Sequence, residues 1–427
     1  MFFQFGPRSA LLLPFVVPGA VAALWLLGRA LRRGAPADAL LALLIALPTI
    51  SVTQWMLGYA GWFDSHDGHS TVMFYVPWHL GTALGVGYYL YFRSLTNQEF
   101  RWRPLAAHWL PALLELGLFA AAAAYDLGWW RGMQGRPLPD FFGTKGAAAT
   151  ALDALALPLA LLSHGLLLGY GLRMWAEYRR YRRYLDDNFS DPERLRFAGL
   201  RQLLLLQLLV LTLGLLYTAL NTAFEFSYDA AWNFFALRGI LIYGLIVVGI
   251  QANYAAATSP LRFGAPAVPA VADAAAPLPG SGAGFEPRGP RALVAAGRPA
   301  AAAGGALPAA PLPPELGPWR DKLLALMADE QPWLEPELTL AELAHRLRTH
   351  PALLSKVINA GCGQNFNDFV NTYRVQEARR KLADPRFGHY SLVGVALESG
   401  FNLKSTFNRV FKKLLDQAPS EVMRPKS

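Results

Sequence analysis

The chain of 427 residues is 53% hydrophobic and only 16% charged, with 12 tryptophans, a formal net charge of +9 and one cysteine. That balance is too apolar for an ordinary soluble protein of this length. The lone Cys362 excludes an intrachain disulfide and any multi-cysteine zinc or iron–sulfur site.

Seven stretches, at about 9–31, 37–59, 72–92, 105–125, 148–173, 200–222 and 233–254, are apolar enough to cross a bilayer. Each is near the ~20 residues that a ~30 Å hydrocarbon core demands. Aromatic residues flank them, as in interfacial belts: Trp55, Tyr59 and Trp62; Trp129 and Trp130; Tyr228 and Trp232. The first stretch has little positive charge before it and Arg29, Arg32 and Arg33 after it. This reverses the order of a cleavable leader, so a retained membrane helix is expected.

The basic residues orient the spans. The first loop carries those three arginines, and the third carries Arg93, Arg101 and Arg103. The fifth carries Arg173, Arg179, Arg180, Arg182, Arg183, Arg194 and Arg196. The second and sixth loops hold no Lys or Arg, only Asp64 and Asp67 or Glu225 and Asp229. The fourth has Arg131, Arg136 and Lys145, diluted by Asp126 and Asp140. By the positive-inside rule the odd loops are cytoplasmic, the N-terminus is outside and the C-terminus is inside.

Ionisable residues within the spans are expensive and are functional candidates: His79, His108, Glu115, Asp153, His164, Glu225 and Arg238. Solvation near an interface, or pairing between helices, is the plainer account of any one of them. The loop Asp64-Ser65-His66-Asp67-Gly68-His69 has metal-type ligands, but without helical spacing or further ligands it reads first as a polar turn. Trp78 beside Pro77, with Tyr75, Tyr88 and Tyr89, offers a pocket lining or ordinary packing.

From about 255 to 314 the chain is almost entirely Ala, Pro and Gly with scattered Arg. Such a segment buries too little apolar surface to offset ordering and reads as a disordered linker. Its root-mean-square span is on the order of 45 Å, so it would pass no rigid-body motion. Control would then run through dimerisation, local concentration or a direct contact between domains.

Residues 315–427 hold two helix-turn-helix patterns. Leu340, Leu343, Ala344 and Leu347 recur at i, i+3, i+4 and i+7, behind a capping box of Thr339 and Glu342. A second helix starts at Pro351, runs through Leu353, Leu354, Val357 and Ile358, and is expected to stop at Gly361. The pattern returns as Leu392 to Leu397, a Ser399-Gly400-Phe401 turn, and Leu403 to Leu414 with Phe407, Val410 and Phe411 inward and Ala396 where the helices cross. Between the two units, 366–382 reads as one connecting helix of roughly 25 Å at ~1.5 Å per residue. A connector of that length can hold two recognition helices toward grooves ~34 Å apart.

The words Leu338-Thr339-Leu340, Leu354-Ser355-Lys356-Val357-Ile358-Asn359, Asn365-Phe366-Asn367-Asp368-Phe369-Val370-Asn371-Thr372-Tyr373-Arg374-Val375, Ala396-Leu397-Glu398-Ser399-Gly400-Phe401-Asn402, Ser405-Thr406-Phe407-Asn408-Arg409-Val410-Phe411-Lys412-Lys413 and Ala418-Pro419-Ser420-Glu421 carry a resemblance. The segment from about 333 to 424 resembles an AraC/XylS-type DNA-binding domain. The resemblance covers about a fifth of the chain and implies a seven-helix fold that reads double-stranded promoter DNA. One departure is visible: Leu415-Asp416-Gln417 stands where the family usually has a glycine.

With helix geometry, the resemblance assigns DNA contact to Ala352, Ser355, Lys356 and Asn359 on the first recognition helix. On the second it assigns Asn402, Lys404, Ser405, Asn408 and Arg409, with Lys412 and Lys413 nearer the backbone. Asn and Arg suit base edges, and Lys and Ser suit phosphates. Charge adds little, since Lys and Arg outnumber Asp and Glu only 16 to 12 over 316–427.

The expected fold class is all-α: a seven-helix transmembrane bundle (1–254), the linker (255–314) and the tandem helix-turn-helix domain (315–427). The expected function is a membrane-anchored transcriptional regulator, and the domain arrangement implies a bacterial inner membrane as its location. No phosphate-binding glycine loop, histidine-kinase signature, nucleophile elbow or zinc-hydrolase motif is present, which points away from an enzyme, and no cofactor is implied. RNA polymerase and a second copy of the chain are open partner candidates beside DNA and the bilayer, and the signal ligand is unassigned. Two other readings stay open: a transporter or channel with an attached DNA reader, and a passive anchor released by proteolysis in the linker.

Overall fold

A computed structural model describes residues 4–97, 100–192, 198–256 and 313–422. The expected linker lies almost wholly outside these residues. Among the described residues the structure is helical, with isolated β-bridges and no strand. It divides into two units: Met1–Leu185 with Pro192–Gly264, and Asp186–Asp191 with Ala265–Ser427.

The first unit contains α1 (Leu13–Arg33), α2 (Pro36–Tyr59), α3 (Gly68–Met73), α4 (Thr82–Thr96), α5 (Leu110–Ala123), α6 (Ala147–Ala154), α7 (Ala156–Asn188), α8 (Ala198–Phe224) and α9 (Tyr228–Ala256). Helix α1 ends where Gly34 turns left-handed (φ 63°), and α2 restarts with Pro36 in its first turn. Arg29 closes this hairpin, its Nε donating to the buried Asp38 carboxylate at 2.6 Å. Elsewhere small residues let helices approach. A Cβ on Gly85 of α4 would lie 2.9 Å from the Leu166 carbonyl oxygen of α7, so the two backbones are nearly in contact.

Five helical stretches are long and apolar enough to cross a membrane: Pro7–Arg33, Pro36–Tyr59, Pro104–Met133, Leu200–Phe224 and Tyr228–Gly249. The bent pair Ala147–Ala154 and Ala156–Asn188 makes six. The expected count of seven continuous crossings is therefore not reached among the described residues. The shortfall is the stretch 72–92, which is not one helix. Pro77 lacks an N–H and disfavours helix at Val76, so α3 stops at Met73 and α4 begins only at Thr82. The Trp78 indole N–H takes up the freed Met73 carbonyl at 2.8 Å. Helix α4, with 15 residues, spans only about 22 Å. The stretch 148–173 is bent by 50° at Leu155, where Pro158 enters the first turn of α7.

The second unit contains α10 (Gly317–Asp329), α11 (Leu340–Arg346), α12 (Pro351–Cys362), α13 (Phe366–Ala383), α14 (Leu392–Glu398), α15 (Lys404–Leu415) and α16 (Pro419–Val422). The capping box is present: Thr339 accepts from the Glu342 N–H while Glu342 accepts from the Thr339 N–H. Helix α12 runs one residue past the expected stop at Gly361, and its left-handed cap is Gly363 (φ 68°). Its start is capped by His350, whose Nδ1 accepts the Leu353 N–H at 3.1 Å.

Two separate cores form. Leu343, Ala344, Leu354, Val357 and Ile358 pack with Phe366, Phe369 and Val370 from the first half of α13. Val395, Ala396, Phe401, Phe407, Val410 and Phe411 pack with Val375 and Ala378 from its second half. One helix thus belongs to both cores, which fixes each helix pair to a common rod.

The missing family glycine is explained locally. Asp416 adopts the left-handed conformation (φ 57°) that closes α15, its N–H bonding the Lys412 carbonyl at 2.9 Å. A side chain there is tolerated at a cost, so Asp416→Gly should stabilise a fragment of residues 313–427 by about 0.5–1 kcal/mol. A higher urea midpoint with an unchanged slope would register this, and a lower midpoint would contradict it.

Candidate nucleic-acid interface

Each helix-turn-helix unit turns one face of its second helix inward and the other outward. On α12, Leu354, Val357 and Ile358 are buried, while Ala352, Lys356 and Asn359 are exposed and Ser355 is half-buried. The four polar-face positions follow i, i+3, i+4 and i+7, so they share one side. The Asn359 amide donates to the Ser355 hydroxyl at 3.3 Å. On α15, Phe407, Val410 and Phe411 are buried beneath Lys404, Ser405, Asn408, Arg409 and Lys412, all exposed.

Lys413 and Asn402 have partners elsewhere in the unit. Lys413 pairs with Asp368 at 2.7 Å, bridging α15 to α13. Asn402, half-buried just before α15, donates to Asp191 at 3.4 Å. Asp191 belongs to the hexapeptide Asp186–Asp191, whose Ser190 backbone N–H also donates to the Leu338 carbonyl at 3.1 Å and whose Ser190 carbonyl accepts from Asn367 at 2.7 Å.

A family model described as "Helix-turn-helix domain" matches residues 343–425. The C-terminal unit carries an AraC-type helix-turn-helix domain. Its curated relatives include uncharacterised HTH-type transcriptional regulators of Staphylococcus aureus strains COL and MSSA476, each 29% identical over 85 residues. The similarity covers 20% of this chain, and the chain spans about a tenth (11%) of the length of those relatives. No solved structure matches the chain.

Sequence reasoning assigned no role to the residue that organises this domain. Arg374 of α13 is 1% exposed at the junction of the two cores. Its Nε donates to the Trp333 carbonyl at 2.7 Å, and its Nη2 donates to the Glu335 carbonyl at 2.7 Å and the Ser190 hydroxyl at 3.1 Å. Its guanidinium lies 5.9 Å from the Phe401 ring centre. Burial pulls its pKa down to about 10, so it stays charged at neutral pH. The α13 periodicity holds the clue, because position 374 falls on the apolar face four residues after Val370 and eight after Phe366. Gly400 completes the fit. It has φ +85°, and a Cβ there would lie 2.5 Å from the Trp333 carbonyl oxygen.

Cys362 ends α12, half-buried against the first core, and burial pushes its thiol pKa up. A raised thiol is a poor redox sensor. The acidic loop before α3 resolves as a turn: Asp67 accepts from the His69 and Ser70 N–H groups and caps the helix. Of the ionisable residues singled out in the spans, Glu115 accepts from the Thr82 N–H at 3.2 Å, and His108 shares a 2.9 Å bond with the Tyr170 hydroxyl. Asp153 pairs with Lys145, while Arg238 donates to the Ser51 hydroxyl at 3.3 Å and has no ion-pair partner among the described residues.

Proposed function

We propose that the chain is a membrane-anchored, sequence-specific transcriptional regulator that binds promoter DNA through both helix-turn-helix units. The observation that carries this is the pairing of an AraC-type domain, with polar recognition faces over buried cores, and a unit rich in membrane-length helices. The positive-inside pattern supports a cytoplasmic DNA reader, and the interior ionisable residues support a signal received at the membrane unit. The bilayer is its anchor, and RNA polymerase and a second copy of the chain are the partners to test next.

The test is genome-wide cross-linking of the tagged full-length protein to the chromosome, with membrane fractionation in parallel. Discrete peaks from a membrane-bound, full-length protein are expected. Peaks accompanied by a soluble C-terminal fragment would replace the anchored reader with one released by proteolysis.

A carrier with an attached DNA reader is the second reading, favoured by the interrupted helices at Pro77 and Leu155. Solute uptake by the reconstituted full-length protein would distinguish it from a sensor.

A further inference from the structure

The first unit contains a partly open cavity of about 1160 Å³, slightly above the roughly 300–1,000 Å³ of common small-molecule sites. Its wall is largely apolar and aromatic. Trp55 stacks on Phe235 at 4.2 Å, Tyr217 stacks on Phe234 at 4.0 Å, and Trp78 and Tyr88 complete the lining. Both of the helix interruptions described above border it, since His79 and Leu80 follow Pro77 and Ala154 and Ala156 flank the bend. The break that costs a continuous third span is thus also what opens the space.

The positive charge of Arg238 on this wall has no ion-pair partner among the described residues. Arg238 lies ten residues into α9, about 15 Å along its axis and so near mid-bilayer depth. Protein surrounds it, yet it keeps accessible surface because it faces the cavity. The carboxylates among the lining residues are Asp64, Glu115 and Asp153. Glu115 is held by Thr82 and Asp153 by Lys145, and no carboxylate lies within ion-pair distance of Arg238 among the described residues. His79 and His164, also on the wall, lie within reach of the guanidinium field and carry no negative charge to offset it. Gln54, a further lining residue, has a buried side-chain oxygen without a hydrogen-bond partner.

We propose that this cavity binds a single-tailed amphiphilic carboxylate, its head group paired with Arg238 and its tail along the aromatic wall. A guanidinium binds a carboxylate in bidentate fashion, and a low-dielectric wall strengthens that pair. The inference rests on the reading that the membrane unit receives a signal. Binding is therefore measured directly, without DNA, so that it can fail or succeed apart from any effect on transcription.

The full-length protein in neutral-lipid nanodiscs is titrated with radiolabelled dodecanoate, dodecanol and dodecyltrimethylammonium. Saturable dodecanoate binding is expected, with dodecanol weaker by at least ~10-fold, the order expected when a charge-assisted pair is lost, and the cation weaker still. Arg238→Met should abolish the preference for the carboxylate over the alcohol, and Arg238→Lys should keep most of it. The comparison of ligands on the unaltered protein does not depend on any variant folding. Equal binding of acid and alcohol, or a preference that survives in Arg238→Met, would overturn the proposal. Repeating the titration in discs containing phosphatidylglycerol separates the sources of the anion. Displacement of dodecanoate by that lipid would assign the site to a bilayer phosphate and overturn the free carboxylate, whereas unaltered binding supports it.

Discussion

Replacing Arg374 by methionine should destabilise the DNA-binding domain by about 3–5 kcal/mol, the loss expected when one member of a buried, hydrogen-bonded charge network is removed. The side chain is 1% exposed, and its forked donors satisfy the Trp333 and Glu335 carbonyls at once. Methionine fills similar volume but leaves the buried Trp333 carbonyl without its donor and the Glu335 carbonyl with the Leu338 N–H alone. Against a total stability of roughly 5–15 kcal/mol for a domain, this is a large fraction. Arg374→Lys should fail to rescue, because one ammonium cannot reproduce the planar fork. Urea unfolding of residues 313–427 measures both variants. A loss below ~1 kcal/mol for methionine would show that the two cores do not depend on this junction.

Lys404→Ala combined with Arg409→Ala should remove specific promoter binding while leaving the domain folded. Both side chains are exposed on the side of α15 opposite Phe407, Val410 and Phe411, so truncation touches neither core. The single variants should differ in kind. Arg409→Ala should cost about 1–3 kcal/mol on the cognate site and little on other sequences, as for a base-edge contact. Lys404→Ala should weaken all sequences alike and reduce the slope of log affinity against log salt by about 1, as for a phosphate contact. Fluorescence anisotropy across a salt series separates the two patterns, and a double variant that still binds its promoter would refute the assignment of this face.

Much of the DNA-binding domain is legible in the sequence because its determinants are local. Thr339 and Glu342 cap a helix through residues three apart, and the Phe407, Val410, Phe411 stripe follows from one helical period. Two glycines lie close together at the end of α12, so period alone suggests a stop at Gly361, whereas the helix runs on to Cys362 and only Gly363 takes the left-handed cap. Less of the first unit is legible in the sequence. Hydropathy alone cannot tell one apolar helix from two short ones, and Pro77 and Pro158 divided what composition had joined.

The sequence by itself determined the all-α class, the apolar membrane-length stretches, the tandem helix-turn-helix pattern and the outward polar faces of α12 and α15. All of these depend on residues within a few turns of one another, where period, capping and backbone chemistry act directly. Only the tertiary structure decided that α13 is shared between two cores, that Arg374 joins them through carbonyls 39 and 41 residues away in the chain, and that Arg238 faces a cavity with no carboxylate within ion-pair distance among the described residues. The physical reason is common to all three. The partner of a buried charge is chosen by packing between distant segments, and no local pattern records which segments will meet.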